Sequence, residues 1–299
     1  METMNTEHIL NLFSGITVWK RGDQRAPHKP LLLLMMLARL QQGKERLAAF
    51  EEIQVPLTKL LIEFGPARKS NHPEMPFWYL QYDELWHFKA DSPFRKRPHN
   101  RQPSPRELKD ANAHAGFLPE IHERFHQHPS DISAAANELL YAHFPATLHE
   151  DIAESVGLNL FTEREKQQVN RFMRDPAFRP AVMDAYGGRC AVCSWDLRLG
   201  ENVIGLEAAH IKWVQYNGPD IIPNGLALCS LHHKLLDKGA ITITPEYRLL
   251  VSDRARGKHS LEEQLLPYHN MEIALPAEKS QYPEPAFLVW HGKEVFHQK

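Results

Sequence analysis

Cysteine is scarce in this sequence, long apolar runs are missing, and the charge is nearly balanced. Three cysteines occur in 299 residues, and all three fall between positions 190 and 229. At metal-type spacing, in a chain without a visible export signal, they argue for metal binding over disulfides. No run approaches the roughly 18 to 20 consecutive apolar residues of a membrane span. The longest candidate, Leu31 to Leu37, reads as a core helix. The start, M-E-T-M-N-T-E-H, lacks the basic and apolar regions of a secretion signal, so a cytoplasmic location is expected. Internal repeats and low-complexity tracts are missing too.

A formal net charge of −2 does not announce a nucleic-acid partner. Local charge says more. From Pro93 to Lys109 the chain carries Arg95, Lys96, Arg97, Arg101, Arg106 and Lys109 against Glu107 alone. Such a stretch attracts phosphates by counterion release, whatever the total charge; otherwise it is a solvated loop.

The 42% hydrophobic and 24% charged content fits a soluble protein long enough for two domains, divided here as 1–160 and 161–299. The fold class expected is α+β, with a mostly helical first domain. Its central helix follows R-A-P-H-K-P, where Pro30 suits a first turn and the long unbranched residues after it favour continuation. His28 and Lys29 lie at its N-terminal approach, where an anion would be favoured, or they merely lead into a core helix. Residues 50–64 read as a short extended piece followed by an amphipathic helix. Phe77 to Phe88, aromatic and alternating around Asp83-Glu84, reads as a β-hairpin. Leu118 to His126 and Asp131 to Phe144 read as helices, the second capped by Asp131 or Ser133. A charged helix beginning near Thr162 opens the second domain, and three strands, A-I-T-I-T, Y-R-L-L-V-S and A-F-L-V-W-H, close it.

The chemistry concentrates between Cys190 and Gly239. Cys190-x-x-Cys193 and Cys229-x-x-His232 are two half-sites of a tetrahedral structural zinc centre. If V-I-G-L-E-A-A-H-I and Leu226 to Cys229 are strands and Ser230 to Lys238 a helix, the result is a zinc-stapled ββα unit. His233 lies about 100° around the helix from His232, so it is left for another centre. Asp237, four residues on, shares its face and could share a second metal. His210, at the strand end, fits a general base for water. Asn224 takes no proton usefully; its expected work is to hold the linking loop and keep His210 in line.

The order His210, Asn224, His233, within L-E-A-A-H-I, N-G-L-A-L-C and H-H-K-L-L-D-K-G, resembles the HNH (ββα-metal) endonucleases over residues 186–244. The resemblance implies a general base at His210, an orienting residue at Asn224 and a ligand of a catalytic divalent ion, Mg²⁺ or Mn²⁺, at His233. Many members carry Asp or His just before the base; here that position is Ala209, so either Asp237 or Glu207 supplies the missing ligand or the ion is held loosely with more water, Asp237 being favoured.

R-A-P-H-K-P-L-L-L-L and M-P-F-W-Y-L-Q-Y-D-E-L-W resemble the sulfur-binding domain of type IV restriction endonucleases that recognise phosphorothioated DNA. In that family a small apolar cavity takes the backbone sulfur while basic side chains hold neighbouring phosphates. Candidates here are Arg25, His28, Lys29, Arg68, Lys69, His72, Pro73, Pro76 and Phe77, with Arg95, Lys96, Arg97 and Arg101 on phosphates. The expected protein binds phosphorothioated double-stranded DNA and cuts nearby, with a homodimer suited to double-strand cleavage. The alternatives are an HNH nuclease reading another modified or unmodified target, and a catalytically silent zinc-stapled DNA-binding protein.

Overall fold

The computed structural model describes residues 5–19, 22–95, 101–160, 177–200 and 202–298. The chain divides into two compact units, one of Met1–Gly22 and Ala26–Thr162, the other of Asp23–Arg25 and Glu163–Lys299.

The first unit is built around one apolar helix. Its helices α1 (Thr6–Ser14), α2 (His28–Gln41), α3 (Phe50–Phe64), α4 (Glu74–Tyr79), α5 (Pro105–Asp110), α6 (Pro119–Gln127), α7 (Ser130–His143) and α8 (Ala146–Val156) are joined by a three-stranded sheet. Its strands are β1 (Leu47–Ala49), β2 (Trp86–Lys89) and β3 (His114–Phe117), in the order β1-β3-β2 and all antiparallel. Every residue of α2 from Pro30 to Ala38 is buried, because α3, α4, α7 and α8 all pack on it. A helix enclosed on all sides has no polar stripe to show.

Several local expectations give way to tertiary packing. Residues 50–64 form one helix with Pro56 inside it. The buried set Phe50, Ile53, Leu57, Leu60, Leu61 and Phe64 recurs at helical spacing and outweighs the roughly 3 kcal/mol an interior proline costs. The aromatic stretch is no hairpin: Pro73 and Pro76 sit at the start of α4, and only Trp86 to Lys89 is strand. Phe77 is turned inward against Phe50, ring centroids 5.0 Å apart. The partner of β2 is β3, with Lys89 opposite His114, so the basic stretch leaves and re-enters the sheet at one point. Asp131 does not cap α7, which begins after Pro129. It is buried, accepting from Arg124 Nε at 2.7 Å and Thr6 Oγ1 at 3.1 Å. Gly157 ends α8 at φ 72°, the left-handed conformation its lack of a Cβ permits.

In the second unit the described part opens with α9 (Phe178–Ala185). The rest of the expected charged helix lies outside the described residues. A short hairpin of β4 (Arg198–Leu199) and β5 (Asn202–Val203) precedes the central hairpin of β6 (Leu206–His210) and β7 (Gly225–Cys229). Helix α10 (Ser230–Asp237) follows β7 directly, and both α9 and α10 pack on the hairpin. Strands β8 (Ile241–Ile243) and β9 (Leu249–Val251) pair next, followed by α11 (His259–Gln264). The expected third strand, A-F-L-V-W-H, is instead helix α12 (Pro285–Glu294). Pro285 sits at its first turn, and Leu288, Trp290, His291 and Glu294 are buried. Among the described residues no helix is long and apolar enough to cross a membrane.

Candidate functional site

The cysteines meet where a turn and a strand end converge. Cys190 and Cys193 flank a tight turn closed by Ser194 N–H donating to Cys190 O at 2.9 Å, with Ser194 at φ 59°. Cys229 ends β7, and His232 lies in the first turn of α10. One ligand atom from each of the four lies within 4.8 Å of the others, the one such group among the described residues. Cys193 Sγ is 3.9 Å from Cys229 Sγ, and Cys190 Sγ is 3.7 Å from His232 Nδ1. Ligands about 2.3 Å from a tetrahedral ion lie about 3.8 Å apart, so the set fits one metal ion. A hydrogen bond from Cys229 pulls the Cys190 thiol down to about 3, while the same bond pushes the Cys229 thiol up.

His210 ends β6 and turns to α9. Its ring stacks on Phe178 with centroids 4.1 Å apart and 13° between planes, and its Nε2 lies 2.6 Å from Asp220 Oδ1. Asp220 escaped the sequence reading, since a lone acid in a G-P-D loop carries no spacing signal. The Asn224 carboxamide is fully buried. It accepts from Lys212 N–H at 2.8 Å and donates to Lys212 O at 3.0 Å and Pro219 O at 2.9 Å. These bonds bind both ends of the loop that carries Asp220. Gly218 is part of the same closure: a Cβ there would lie 1.8 Å from Lys212 O.

His233 belongs to a different cluster. Glu207 and His210 are three apart on a strand, so their side chains leave opposite faces, and Glu207 turns to α10. His233 Nδ1 lies 2.6 Å from Glu207 Oε2 and its Nε2 3.2 Å from Asp237 Oδ2. Ser230 Oγ donates to Glu207 Oε1 at 2.7 Å. The two carboxylates differ in setting: the Glu207 side chain is 43% exposed and that of Asp237 only 2%. Burial lowers the basicity of His233, but Asp237 and Glu207 outweigh it and raise the imidazole to about 9. Ala209 is buried on the same face as Glu207.

The recognition candidates of the first unit separate into inward and outward sets. Lys29 is ion-paired with Asp83, which also accepts from Thr17 N–H at 2.9 Å. Phe77, Pro73 and Pro76 are buried. Arg68, Lys69, Arg95 and Arg101 are exposed, and Lys96 and Arg97 lie outside the described residues. His28 is mostly enclosed; burial, then the nearby His72 and Arg68, lower its imidazole to about 4. His72 is held between Ser70 Oγ and Glu74 Oε1, each at 2.9 Å. Arg25 is not among them: it folds with the second unit, 4% exposed, its backbone N–H donating to Glu294 Oε2 at 3.0 Å.

A sequence-family comparison matches residues 6–161, just over half of the chain, to the ScoMcrA-like DNA sulfur-binding domain. The chain belongs to that family. A second match, to HNH endonuclease domains, covers residues 190–244, the span holding both histidine clusters and the cysteines. Similar solved structures include the sulfur-binding domain of ScoMcrA complexed with phosphorothioated DNA. It is 21% identical, covering 50% of this chain and 94% of that one, with a TM-score of 0.44. The sulfur-binding domain of SprMcrA complexed with phosphorothioated DNA is 20% identical, covering 53% and 97%, with a TM-score of 0.45. The type IV phosphorothioation-dependent restriction endonuclease ScoMcrA is 20% identical, covering 50% and 32%, with a TM-score of 0.42. No curated protein matches the chain. The family assignment rests on the sequence match, and the chain thus joins a sulfur-binding domain to an HNH endonuclease domain.

Proposed function

We propose that this protein is a modification-dependent restriction endonuclease, in which residues 1–160 bind phosphorothioated DNA and residues 161–299 hydrolyse a nearby phosphodiester. What carries the reading is the presence, in one chain, of a sulfur-binding domain and an HNH domain with an oriented histidine at the end of β6. A phosphorothioate sulfur is larger, more polarizable and more weakly hydrated than oxygen, so an apolar surface favours it at little desolvation cost. In this reading the exposed Arg68, Lys69, Arg95 and Arg101 hold flanking phosphates, and the charges of Lys96 and Arg97 add to theirs.

In the nuclease, His210 accepts the proton of the attacking water. The Asp220 carboxylate fixes the ring and stabilises the imidazolium that forms. Asn224, sealed in the loop, keeps that carboxylate in place. His233 Nδ1 and Glu207 would hold a divalent ion, Mg²⁺ or Mn²⁺, which when bound polarises the phosphate and stabilises the leaving oxygen. Glu207 suits the ligand role that sequence reasoning favoured for Asp237, because it is the carboxylate open to solvent. Asp237, buried against Nε2, orients the ring from behind. Cys190, Cys193, Cys229 and His232 would hold a structural Zn²⁺. A double-strand cut calls for two such sites, hence a homodimer on DNA; the working location is the cytoplasm.

The test is cleavage of matched phosphorothioated and plain duplexes with Mg²⁺ or Mn²⁺. Selective cutting of the modified duplex is expected. Equal rates on both would sink the sulfur reading, and tight binding without cutting would favour a silent DNA-binding module.

A further inference from the structure

Residues Asp23 to Arg25 lie, in chain order, inside the stretch matched to the sulfur-binding family, yet they fold with the nuclease unit. Their contacts there are specific. Asp23 Oδ2 accepts from Lys212 Nζ at 2.6 Å, and Asp23 O accepts from Trp290 Nε1 at 2.8 Å. Arg25 Nη1 donates to Glu294 O at 2.8 Å, and its guanidinium lies 4.0 Å over the ring of Trp213. Trp213 is 1% exposed and packs edge-on against Trp290, centroids 6.1 Å apart.

Lys212 and Trp213 come two and three residues after His210, at the mouth of the loop that returns with Asp220. The Lys212 backbone is gripped by Asn224 from one side, and its side chain by Asp23. Trp213 is the next residue, held flat beneath Arg25. Without the strap formed by Asp23–Arg25, Lys212 would keep a nearly buried ammonium with its partner carboxylate gone, which favours a shift of the segment toward water. Such a shift reaches His210 through two backbone bonds.

We propose that Asp23 and Arg25 are positioning residues for the nuclease, fixing Lys212 and Trp213 so that His210 and Asp220 meet in working geometry. The inference rests on the reading of His210 as the base. It makes the nuclease unit incomplete as residues 163–299 alone, because three residues from far upstream finish it.

The full-length protein carries the test, through Asp23→Ala, Arg25→Gln and Arg25→Lys. Each is measured for affinity to a phosphorothioated duplex, for kcat and KM of cleavage, and for amide hydrogen exchange at Lys212 and Gly218. Asp23→Ala and Arg25→Gln are expected to bind the duplex as the parent does and to keep KM. Their kcat should fall about ten- to a hundredfold, the scale of a small misplacement of reacting groups, with faster exchange at both amides. Arg25→Lys, which keeps a cation over Trp213, should recover most of kcat. Loss of duplex affinity in step with cleavage in Arg25→Gln would overturn the proposal and make Arg25 a DNA contact. Unchanged kcat and exchange in Asp23→Ala would overturn it as well. That side chain is 47% exposed, so the variant remains informative if Arg25→Gln fails to fold. If the parent cuts neither duplex, the reading of the activity fails while the exchange data still decide the strap.

Discussion

His210 Nε2 and Asp220 Oδ1 stand 2.6 Å apart although ten residues separate them in sequence. The loop between them is closed by Asn224, so a buried amide fixes the distance between the imidazole and its carboxylate. His210→Ala should abolish cutting while leaving metal content and duplex binding at parental levels. Asp220→Asn keeps the shape but removes the charge that favours imidazolium, and should lower kcat about ten- to a hundredfold, within the range general-base catalysis supplies. Single-turnover cleavage beside a binding isotherm checks both; lost binding in His210→Ala would mean the residue is misassigned.

Glu207 and Asp237 make opposite predictions although both touch His233. Glu207→Gln removes the carboxylate open to solvent and should raise the Mn²⁺ concentration for half-maximal binding about ten- to a hundredfold. Asp237→Asn should have the smaller effect on metal affinity and the larger one on thermal stability, because its side chain is nearly sealed beside a basic imidazole. Calorimetric titration of the DNA-free protein with Mn²⁺ separates them, and a larger affinity loss in Asp237→Asn would restore Asp237 as the ligand.

Cys229→Ser should strip the metal and loosen the ββα unit together. Ligand binding and folding are coupled in such closed sites, where apparent metal-binding energies run to about 10 kcal/mol or more. Metal analysis and thermal melting report the two effects. Full metal content with an unchanged melting temperature would place the second half-site elsewhere.

His291 gives the second unit an acid-sensitive core. It is 1% exposed, its Nε2–H donating to Leu236 O at 3.1 Å and its Nδ1 accepting from Thr242 Oγ1 at 2.8 Å. Burial lowers its imidazole from 6.5 to about 4. Between these values the unfolded chain binds a proton that the folded chain refuses, so stability falls as pH drops from 6.5 to 4, by at most about 3 kcal/mol. Urea midpoints over that range should show the loss, and His291→Gln should flatten its pH dependence.

The nuclease half was more legible in the sequence than the recognition half, for a physical reason. Zinc-type spacing and the His210, Asn224, His233 order are local signals that survive without knowledge of tertiary contacts. Strand β7 and helix α10 are placed from them to within a residue, whereas the expected strand V-I-G-L-E-A-A-H-I is divided at Gly205, φ 66°, between β5 and β6. Asp220, Asp23 and Arg25 make their contacts across the fold, and nothing in their neighbours' identities marks them. The aromatic run from Phe77 to Phe88 misleads because its alternation resembles a strand, whereas Pro73 and Pro76 favour a helical start. A-F-L-V-W-H misled because a half-buried helix of ten residues and a strand share the same short apolar run. Lys29 shows a further limit: its charge invited a phosphate, and its partner Asp83 was visible only once the chain had folded.

Lys89 and His114 face each other across β2 and β3, and beyond them Asp91 N–H donates to Ala111 O at 2.9 Å. Further in, Ser104 and Glu107 form a capping box that starts α5, which anchors itself through fully buried Leu108. Between these anchors the described residues of segment 92–103 are also tied to α4: the Phe94 ring lies 5.5 Å from that of Trp78, and Gln102 Oε1 accepts from Tyr79 O–H at 3.1 Å. Closing a chain segment between fixed ends depends only weakly on its length, so insertions between Phe94 and Gln102 should cost little stability as long as those two contacts are kept.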